Sequence, residues 1–208
     1  MNCVPIIYVV DDDAAVRMAL VALLASVGYR VEAYAHAQDF LDYPLAAGPS
    51  CLILDMHMPA LDGMGVVAEL ARRDAGLPVI FLTGFGSIPM SVLAIKAGAT
   101  EFLTKPIEPE QLLDAVRAAL AGDAAALEQR RDLAVLRERH ASLTPRERET
   151  MELVIGGLLN KQVADAMGIS EIMAKTHKRK VMEKMLARSL PDLVRDAERL
   201  QIVSRRHR

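Results

Sequence analysis

The sequence predicts an α/β domain built on a five-stranded parallel sheet, then a helical linker, then an all-α domain of four helices. Three observations support this fold class. Short apolar runs alternate with amphipathic stretches over the first 120 residues, the pattern becomes wholly helical from Ser142, and the charge changes sign between the two parts. Residues 1–142 hold 11 Lys and Arg against 18 Asp and Glu, whereas residues 143–208 hold 14 against 9. The basic second part is therefore a candidate for binding nucleic acid.

The apolar runs define the strands expected in the first part. They lie at residues 6–10, 30–34, 51–55, 78–82 and 101–105. Helical patterns lie between and after them, at residues 13–27, 36–43, 63–73, 87–97 and 108–121. Unbroken apolar strands alternating with helices are typical of a parallel sheet covered on both faces. Such a sheet carries its functional site at the carboxyl ends of its strands.

Residues 119–140 are rich in Ala, Leu, Arg and Glu, which predicts a helical linker. Thr144–Glu147 reads "TPRE", a capping box with proline at the first helical position. Three further residues are expected to occupy the N-cap positions of the following helices: Asn160, Ser170 and Ser189. A tight turn at Gly168 between two short helices predicts a helix-turn-helix.

The composition favours a globular protein, with 52% apolar and 25% charged residues. The apolar run at Ile6 is too short to span a bilayer and lacks a basic leader, so we expect a cytoplasmic location and no membrane partner. Cys3 and Cys51 form no metal-binding or disulfide pattern, and we expect both to pack as small hydrophobic side chains near strands.

Polar side chains collect at the predicted strand ends. Asp11, Asp12, Asp55 and Thr83 lie there, and Lys105 lies at or just past such an end. Two or three carboxylates would hold Mg²⁺, and a further carboxylate could attack a phosphoryl group to form an aspartyl phosphate. Lysine would neutralise the transferred oxygens and threonine would hydrogen-bond to one of them. The pattern therefore indicates phosphoryl chemistry without settling which carboxylate reacts.

Residues 4–121 resemble the receiver domain of two-component response regulators, a flavodoxin-like (CheY-like) fold. The resemblance rests on four blocks in matching order and spacing: "VVDDD", "LILDMHMPALDGMG", "VIFLTG" and "EFLTKP". The last block includes the cis-prone Lys105–Pro106 bond. The family also implies that the domain is not an enzyme beyond slow loss of its own phosphoryl group.

The resemblance assigns a role to each residue of the pattern. It implies that Asp55 is the phosphoacceptor and that Mg²⁺ (or Mn²⁺) binds to Asp11, Asp12, Asp55 and the backbone carbonyl of His57. It implies further that Thr83 and Lys105 contact the phosphoryl group and that Phe102 is an aromatic switch. Asp13 has no such role, and we expect it to open the first helix, where its charge suits the helix dipole. We hypothesise that the side chains of His57 and Phe85 shield the acyl phosphate from water.

The basic residues of the second part concentrate on one predicted helix. Lys175, Lys178 and Arg179 fall on one face at helical spacing. Its apolar contacts are expected from four residues: Ile172, Met173, Met182 and Met185. A recognition helix needs such a division, with one face packed and the other in the DNA major groove.

Residues 143–200 resemble the LuxR/FixJ-type helix-turn-helix domain through "LTPRERE", "GLLNKQVADAMGIS" and "KTHKRKVMEKM". The resemblance implies that bases are faced by Lys175, Thr176 and Arg179, and that phosphates are contacted mainly by Lys161, Lys178 and Lys184. The chain departs from many relatives by having Met173–Ala174 in place of Thr-Val, which puts one backbone contact in doubt. The implied domains are 4–121, a linker at 122–142, and 143–208.

Together these patterns predict a response regulator of the FixJ/NarL family that is activated by phosphorylation. The implied partners are a sensor histidine kinase, double-stranded promoter DNA, RNA polymerase and a second copy of the chain. One alternative is a regulator that binds DNA constitutively through an inactive receiver domain. The other is a phosphatase with an aspartyl nucleophile, which typically has a second Asp two residues on, where this chain has His57.

Overall fold

The computed structural model describes residues 4–59, 61–84 and 100–204. They divide into two compact units, Met1–Glu128 and Gln129–Arg208. The first unit is α/β and the second is helical, as predicted from the sequence. Within the described ranges, no helix combines the length and the apolar character that crossing a membrane requires.

A parallel sheet forms the centre of the first unit. Its strands are β1 Ile6–Val10, β2 Arg30–Tyr34, β3 Ser50–Asp55, β4 Val79–Thr83 and β5 Glu101–Thr104. They lie in the order β2-β1-β3-β4-β5, and every neighbouring pair is parallel. All the predicted strands are present, with small shifts at their ends: β3 starts at Ser50, β4 is displaced to Val79–Thr83, and β5 ends before Lys105.

The strand order places the switch point of the sheet between β1 and β3, because the chain leaves β1 in one direction and continues from β3 in the other. Val10 pairs with Leu54, and Asp55 pairs with Leu82. The residues that follow these strands therefore emerge side by side at one edge of the sheet.

Four helices accompany the sheet in the described part of the chain: α1 Ala14–Ser26, α2 Ala37–Leu41, α3 Gly63–Arg72 and α4 Pro109–Ala141. The last is a continuous helix that includes both the predicted helix at 108–121 and most of the predicted linker. The helix predicted at 87–97 lies outside the described residues.

Alternate strand residues point to opposite faces of the sheet and build two cores. On one face, Tyr8 and Leu52 pack with Phe40 of α2 and Val66 of α3. The core on the other face joins residues of β1 and β3 to α1 and α4: Ile7, Val9, Cys51 and Ile53 of the strands, Leu20 and Leu24 of α1, and Leu112 and Val116 of α4. Cys51 is fully buried, as expected of a small hydrophobic side chain. Packing on both faces explains why the strands read as unbroken apolar runs.

The second unit contains α5 Pro145–Ile155, α6 Asn160–Met167, α7 Glu171–Met185 and α8 Leu190–Arg199. The capping box at Thr144 and the N-caps at Ser170 and Ser189 are formed as predicted. Gly168 ends α6 with a φ of 64°, a left-handed conformation that glycine adopts without strain.

The N-cap predicted at Asn160 is wrong. Leu159 occupies the cap position and Asn160 is the first helical residue. The backbone N–H of Leu159 donates to Oε1 of Gln162 at 2.8 Å. The Gln162 side chain thus accepts from the backbone N–H of the cap residue, as the third helical residue does in a capping box. The cap position itself is occupied by an apolar residue, where a polar one was expected.

The apolar face predicted for α7 is wrong in its first turn. Ile172 and Met173 are exposed, whereas Ala174, Val181 and Met185 are buried in the core of the second unit. Met182 packs against that core, as expected. The small side chain of Ala174 faces that core, and the two larger residues just before it therefore lie on other sides of the helix.

Candidate functional site

The three consecutive aspartates after β1 occupy different environments. Asp11 is fully buried and Asp12 is exposed. Asp13 is the N-cap of α1, where its Oδ1 accepts from the backbone N–H groups of Ala15 at 2.8 Å and Val16 at 3.3 Å. Asp13 therefore opens the first helix, as predicted, and leaves two carboxylates for the edge of the sheet.

Asp55 ends β3 beside β1, and its side chain is largely buried. Carboxylate oxygens of Asp11, Asp12 and Asp55 lie within 4.8 Å of one another. We call these three side chains the acidic cluster. Three negative groups at this distance repel one another, so the cluster needs a positive partner.

Lys105 supplies that partner. Its Nζ lies 2.9 Å from Oδ2 of Asp11 and 2.9 Å from Oδ1 of Asp55. Its backbone N–H donates to the carbonyl of Thr83 at 2.7 Å, which fixes the start of the loop after β5. The peptide bond between Lys105 and Pro106 is cis, as the sequence suggested.

The ionisation of the pocket reflects burial and pairing. Burial raises the pKa of the Asp11 carboxyl above its ordinary value, and the hydrogen bond from Lys105 acts against this without overcoming it. Burial would lower the pKa of Lys105, but hydrogen bonds to Asp11 and Asp55 outweigh it and raise that pKa. Lys105 is therefore held as the cation of the pocket.

Two further predicted residues lie on β4 and β5, and of the two only Thr83 stands at the same edge. Thr83 ends β4 and is fully buried. Phe102 of β5 is partly buried and packs against the core formed with α2 and α3. The side chain of His57 is exposed two residues beyond Asp55. Phe85 lies outside the described residues.

The second unit presents a basic surface on α7, opposite its buried residues. Lys175 and Arg179 are exposed there and form ion pairs with Glu171 at 3.2 Å and Glu183 at 3.5 Å. Such exposed pairs are weak and leave the cations available to a stronger anion. The hydroxyl of Thr176 donates to the carbonyl of Ile172 at 2.9 Å.

The three lysines expected at phosphates differ in their surroundings. Lys161 is exposed on α6, and Lys178 is half-buried on α7. Lys184 is engaged within the unit: its Nζ lies 2.6 Å from Oε2 of the buried Glu147 and 3.1 Å from the carbonyl of Ser142. Lys184 therefore ties α7 to the beginning of α5.

Comparisons with known proteins identify a domain in each unit. The sequence model of the response regulator receiver domain matches residues 7–117, and that of the luxR family of bacterial regulatory proteins matches residues 141–197. The chain belongs to the response regulators. Its first unit contains the receiver domain and its second contains the LuxR-type DNA-binding domain. The family and the fold class predicted from the sequence are confirmed.

Relatives are similar along nearly the whole chain. Nodulation protein W of Bradyrhizobium diazoefficiens is 45% identical over 197 residues, which cover 95% of this chain and 87% of that protein. Transcriptional regulatory protein FixJ of Azorhizobium caulinodans is 39% identical over 191 residues, covering 92% and 90%. The structure of response regulator StyR matches with a TM-score of 0.84 and 41% identity, covering 94% of this chain and 99% of that one. The chain is thus a transcriptional regulator of the two-component type.

The acidic cluster of the receiver domain fits a hard divalent cation. Its three carboxylates supply oxygen donors, and the exposed Asp12 provides access from solvent. The cluster already holds one cationic group, the Lys105 ammonium, between two of its members. Residues with these donors are suited to Mg²⁺ (or Mn²⁺), which keeps several water ligands of its own.

Two residues that shape the acidic cluster were missed in the sequence. Nη1 of Arg17 donates to the backbone carbonyls of Asp11 at 2.6 Å and Asp12 at 3.3 Å, so it fixes the loop that carries both carboxylates. Gly63 approaches β3 closely: a Cβ there would lie 2.7 Å from Cε1 of Phe81 and 2.9 Å from the backbone oxygen of Asp55. Two features of the sequence could have pointed to these residues. Gly63 belongs to an Asp-Gly pair, which is typical of a turn, and Arg17 is the first basic residue after "DDD".

Proposed function

We propose that Asp55 accepts a phosphoryl group from a partner histidine kinase and that this controls DNA binding by the second unit. The observation that supports it most strongly is the position of Lys105, whose Nζ lies 2.9 Å from both Asp11 and Asp55. A carboxylate oxygen of Asp55 forms a bond to phosphorus as the P–N bond of the phosphohistidine breaks. The leaving imidazole takes up a proton. Lys105 neutralises the transferred oxygens, and the Thr83 hydroxyl hydrogen-bonds to one of them.

The acidic cluster and the backbone carbonyl of His57 would hold Mg²⁺ (or Mn²⁺) in this reaction. When bound, the cation would supply positive charge for the phosphoryl oxygens. The pKa of Asp11 is raised because the carboxyl is buried, and the cation would then stabilise its charged form. Arg17 positions the two carboxylates of the loop through their backbone carbonyls.

We propose that phosphorylation is transmitted through Thr83 and Phe102 to a face that includes β5 and the first part of α4, and that this face then mediates dimerisation. The two residues lie on adjacent strands: Thr83 ends β4, and Phe102 is on β5 opposite Phe81, two residues before the level of Thr83. A two-fold dimer would place two DNA-binding domains on an inverted repeat. The helix predicted at 87–97, which the family includes in this face, lies outside the described residues.

The basic surface of α7 is the proposed DNA contact. We propose that Lys175, Thr176 and Arg179 contact bases, and that Lys161 and Lys178 contact phosphates. Thr176 would contact a base through its methyl group, since its hydroxyl is held by the backbone of Ile172. We propose that the main role of Lys184 is to stabilise the domain, since its ammonium group contacts the carboxylate of Glu147.

The remaining proposals concern organisation and partners. We retain the boundaries 4–121, 122–142 and 143–208 for receiver domain, linker and DNA-binding domain. We propose a cytoplasmic location, and contact with RNA polymerase at the promoter.

DNA binding before and after activation tests this function. Duplexes selected from a random pool are titrated with the wild type, Asp55→Asn and Asp13→Asn, with and without beryllium fluoride and Mg²⁺, at two salt concentrations. Asp13→Asn is the matched control because it retains a capping side chain outside the acidic cluster. We expect activation to tighten binding by about tenfold or more and to produce dimers in the wild type and Asp13→Asn, but not in Asp55→Asn.

Other results would favour the alternatives. Equal binding by all three proteins, with or without activation, would indicate a constitutive DNA-binding regulator. Steady turnover of p-nitrophenyl phosphate with Mg²⁺, abolished by Asp55→Asn, would indicate the phosphatase.

We propose further that the phosphorylated protein loses its phosphoryl group slowly. The exposed imidazole of His57 stands two residues beyond Asp55, at the rim of the pocket, where it would hinder the approach of water. His57→Asn is expected to shorten the lifetime of the phosphoryl label several-fold, measured by following phosphorylated protein after removal of acetyl phosphate. An unchanged lifetime would show that His57 does not shield the site.

A further inference from the structure

Ile172 is an apolar side chain that the packing of the second unit does not use. It lies in the first turn of α7 and is 77% exposed. A β-branched residue at an exposed helical position gains nothing from helix propensity. Because neither packing within the unit nor helix propensity explains an isoleucine at this position, we consider its contact with another molecule.

The position of Ile172 on the helix shows which surface it belongs to. Ala174, which is buried, follows two residues later, about 200° around the helix axis. Lys175 and Arg179 follow three and seven residues after Ile172, a spacing that places all three on one side of the helix. Ile172 is thus the N-terminal member of an outward row whose other two members are cations.

This row matches the chemistry of a DNA major groove. The cations suit phosphates and the acceptor atoms of guanine, and the C5-methyl of thymine is the groove's apolar group. The N-terminal residues of a recognition helix are those that reach base edges in helix-turn-helix proteins. Ile172 and its exposed neighbour Met173, beside two cations, offer too little apolar area for a stable protein interface, which buries about 800 Å² on each partner.

We propose that Ile172 contacts the C5-methyl group of a thymine and so specifies thymine at one position of each half-site. The inference rests on the proposed DNA-binding function of α7. It adds a specificity determinant that acts through apolar contact and lies one turn before Lys175.

Replacement of thymine by deoxyuridine tests the proposal because it removes only the methyl group. The full-length protein, activated with beryllium fluoride and Mg²⁺, is titrated with selected duplexes in which each thymine is replaced singly. We expect one position in each half-site where the replacement weakens wild-type binding about fourfold, the effect of one buried methyl group. Ile172→Ala should bind the thymine duplex about four- to tenfold more weakly and should no longer distinguish deoxyuridine at that position.

Met173→Ala is the matched control, since Met173 is an exposed neighbour on another side of the helix. It should keep the sensitivity to deoxyuridine at the same position. The proposal is overturned if the wild type tolerates deoxyuridine everywhere, or if Ile172→Ala retains the wild-type sensitivity. It is also overturned if Ile172→Ala lowers transcription by added RNA polymerase without changing DNA affinity. If the wild type selects no duplex at all, the proposed DNA-binding function itself fails, a result distinct from selective binding without a methyl effect.

Discussion

Lys105→Met is expected to lower the free energy of unfolding of the first unit by about 3–5 kcal/mol at pH 7 without Mg²⁺, because it leaves two buried carboxylates without their shared cation. The side chain of Asp11 is 0% exposed and that of Asp55 is 7% exposed, so water cannot replace the ammonium group. The same change is expected to abolish the response of DNA binding to beryllium fluoride. Lys178→Met removes a lysine outside the acidic cluster and is expected to leave the stability of the first unit unchanged.

The chain provides a probe for this measurement. It has no Trp, and its tyrosines, residues 8, 29, 34 and 43, all belong to the first unit. Tyrosine fluorescence during urea unfolding therefore reports on the receiver domain alone. Addition of Mg²⁺ should restore part of the loss in Lys105→Met, since the cation replaces the missing charge. A variant as stable as the wild type in EDTA would contradict the proposed role of Lys105 as counter-ion.

The pH dependence of this pair follows from the raised pKa of Lys105. A lysine whose folded-state pKa exceeds its unfolded value stabilises the fold fully below the unfolded value, here about 10.5, and loses this contribution as pH rises through the folded value. The wild type should therefore keep the contribution across neutral pH. In Lys105→Met the loss in free energy of unfolding relative to the wild type should shrink between pH 7 and pH 5. The reason is that burial favours protonation of Asp11 once its cation is absent.

The acidic cluster could be predicted because parallel strands end at one edge of a sheet. Once five apolar runs had been assigned to strands, Asp11, Asp55 and Thr83 had to emerge as neighbours. The family resemblance implied that Lys105 contacts the phosphoryl group, but its contacts with two of the carboxylates were not predicted, since nothing in its spacing distinguishes it from a surface lysine. Arg17 and Gly63 were missed because their roles depend on distances to backbone atoms, which a residue pattern does not encode.

The orientation of α7 could not be read from its sequence. Ile172 and Met173 are more hydrophobic than Ala174, and a hydrophobic pattern assigns the larger residues to the core. The structure buries Ala174 in the core of the second unit instead. Asn160 shows the same limit, since the preference of Asn for the N-cap was overridden by the hydrogen bond between Leu159 and Gln162.

Contacts between residues far apart in the sequence were also beyond prediction. The side chain of Asp123 on α4 accepts from the backbone N–H of Ser50 at 2.8 Å, at the start of the strand that carries Asp55. The family resemblance implied that Lys184 contacts a DNA phosphate. Its bond to Glu147, 37 residues away in the sequence, was visible only in the structure.

Lys184→Met is expected to lower the free energy of unfolding of the second unit by about 3 kcal/mol at pH 7, because it leaves Glu147 buried and without its cation. The carboxylate of Glu147 is 4% exposed, and it also accepts from the backbone N–H of Thr144 at 2.8 Å. Helicity followed by circular dichroism in urea measures this loss as the transition that tyrosine fluorescence, which reports on the first unit, does not show. Lys180→Met, which removes an exposed lysine of the same helix, should unfold like the wild type.

The sign of the pH dependence distinguishes this pair from that at Lys105. Burial would raise the pKa of Glu147, but the hydrogen bonds from Lys184 and Thr144 outweigh it and lower that pKa. A carboxylate with a lowered folded-state pKa stabilises the fold above its unfolded value, about 4.5, and loses this contribution as pH falls through the folded value. In Lys184→Met the lysine no longer opposes the effect of burial, which raises the pKa of Glu147. The difference in free energy of unfolding between this variant and the wild type should therefore narrow as the pH approaches 4.

A double-mutant cycle with Glu147→Gln separates the ion pair from the capping hydrogen bond, since Gln retains an acceptor oxygen for Thr144. Once Glu147 has been replaced, loss of Lys184 should change stability by much less than in the wild type. A different result is expected if Lys184 mainly contacts a DNA phosphate, because its replacement would then leave the free energy of unfolding unchanged. In that case Lys184→Met would instead lower the salt dependence of DNA binding by about one unit of slope, whatever the DNA sequence.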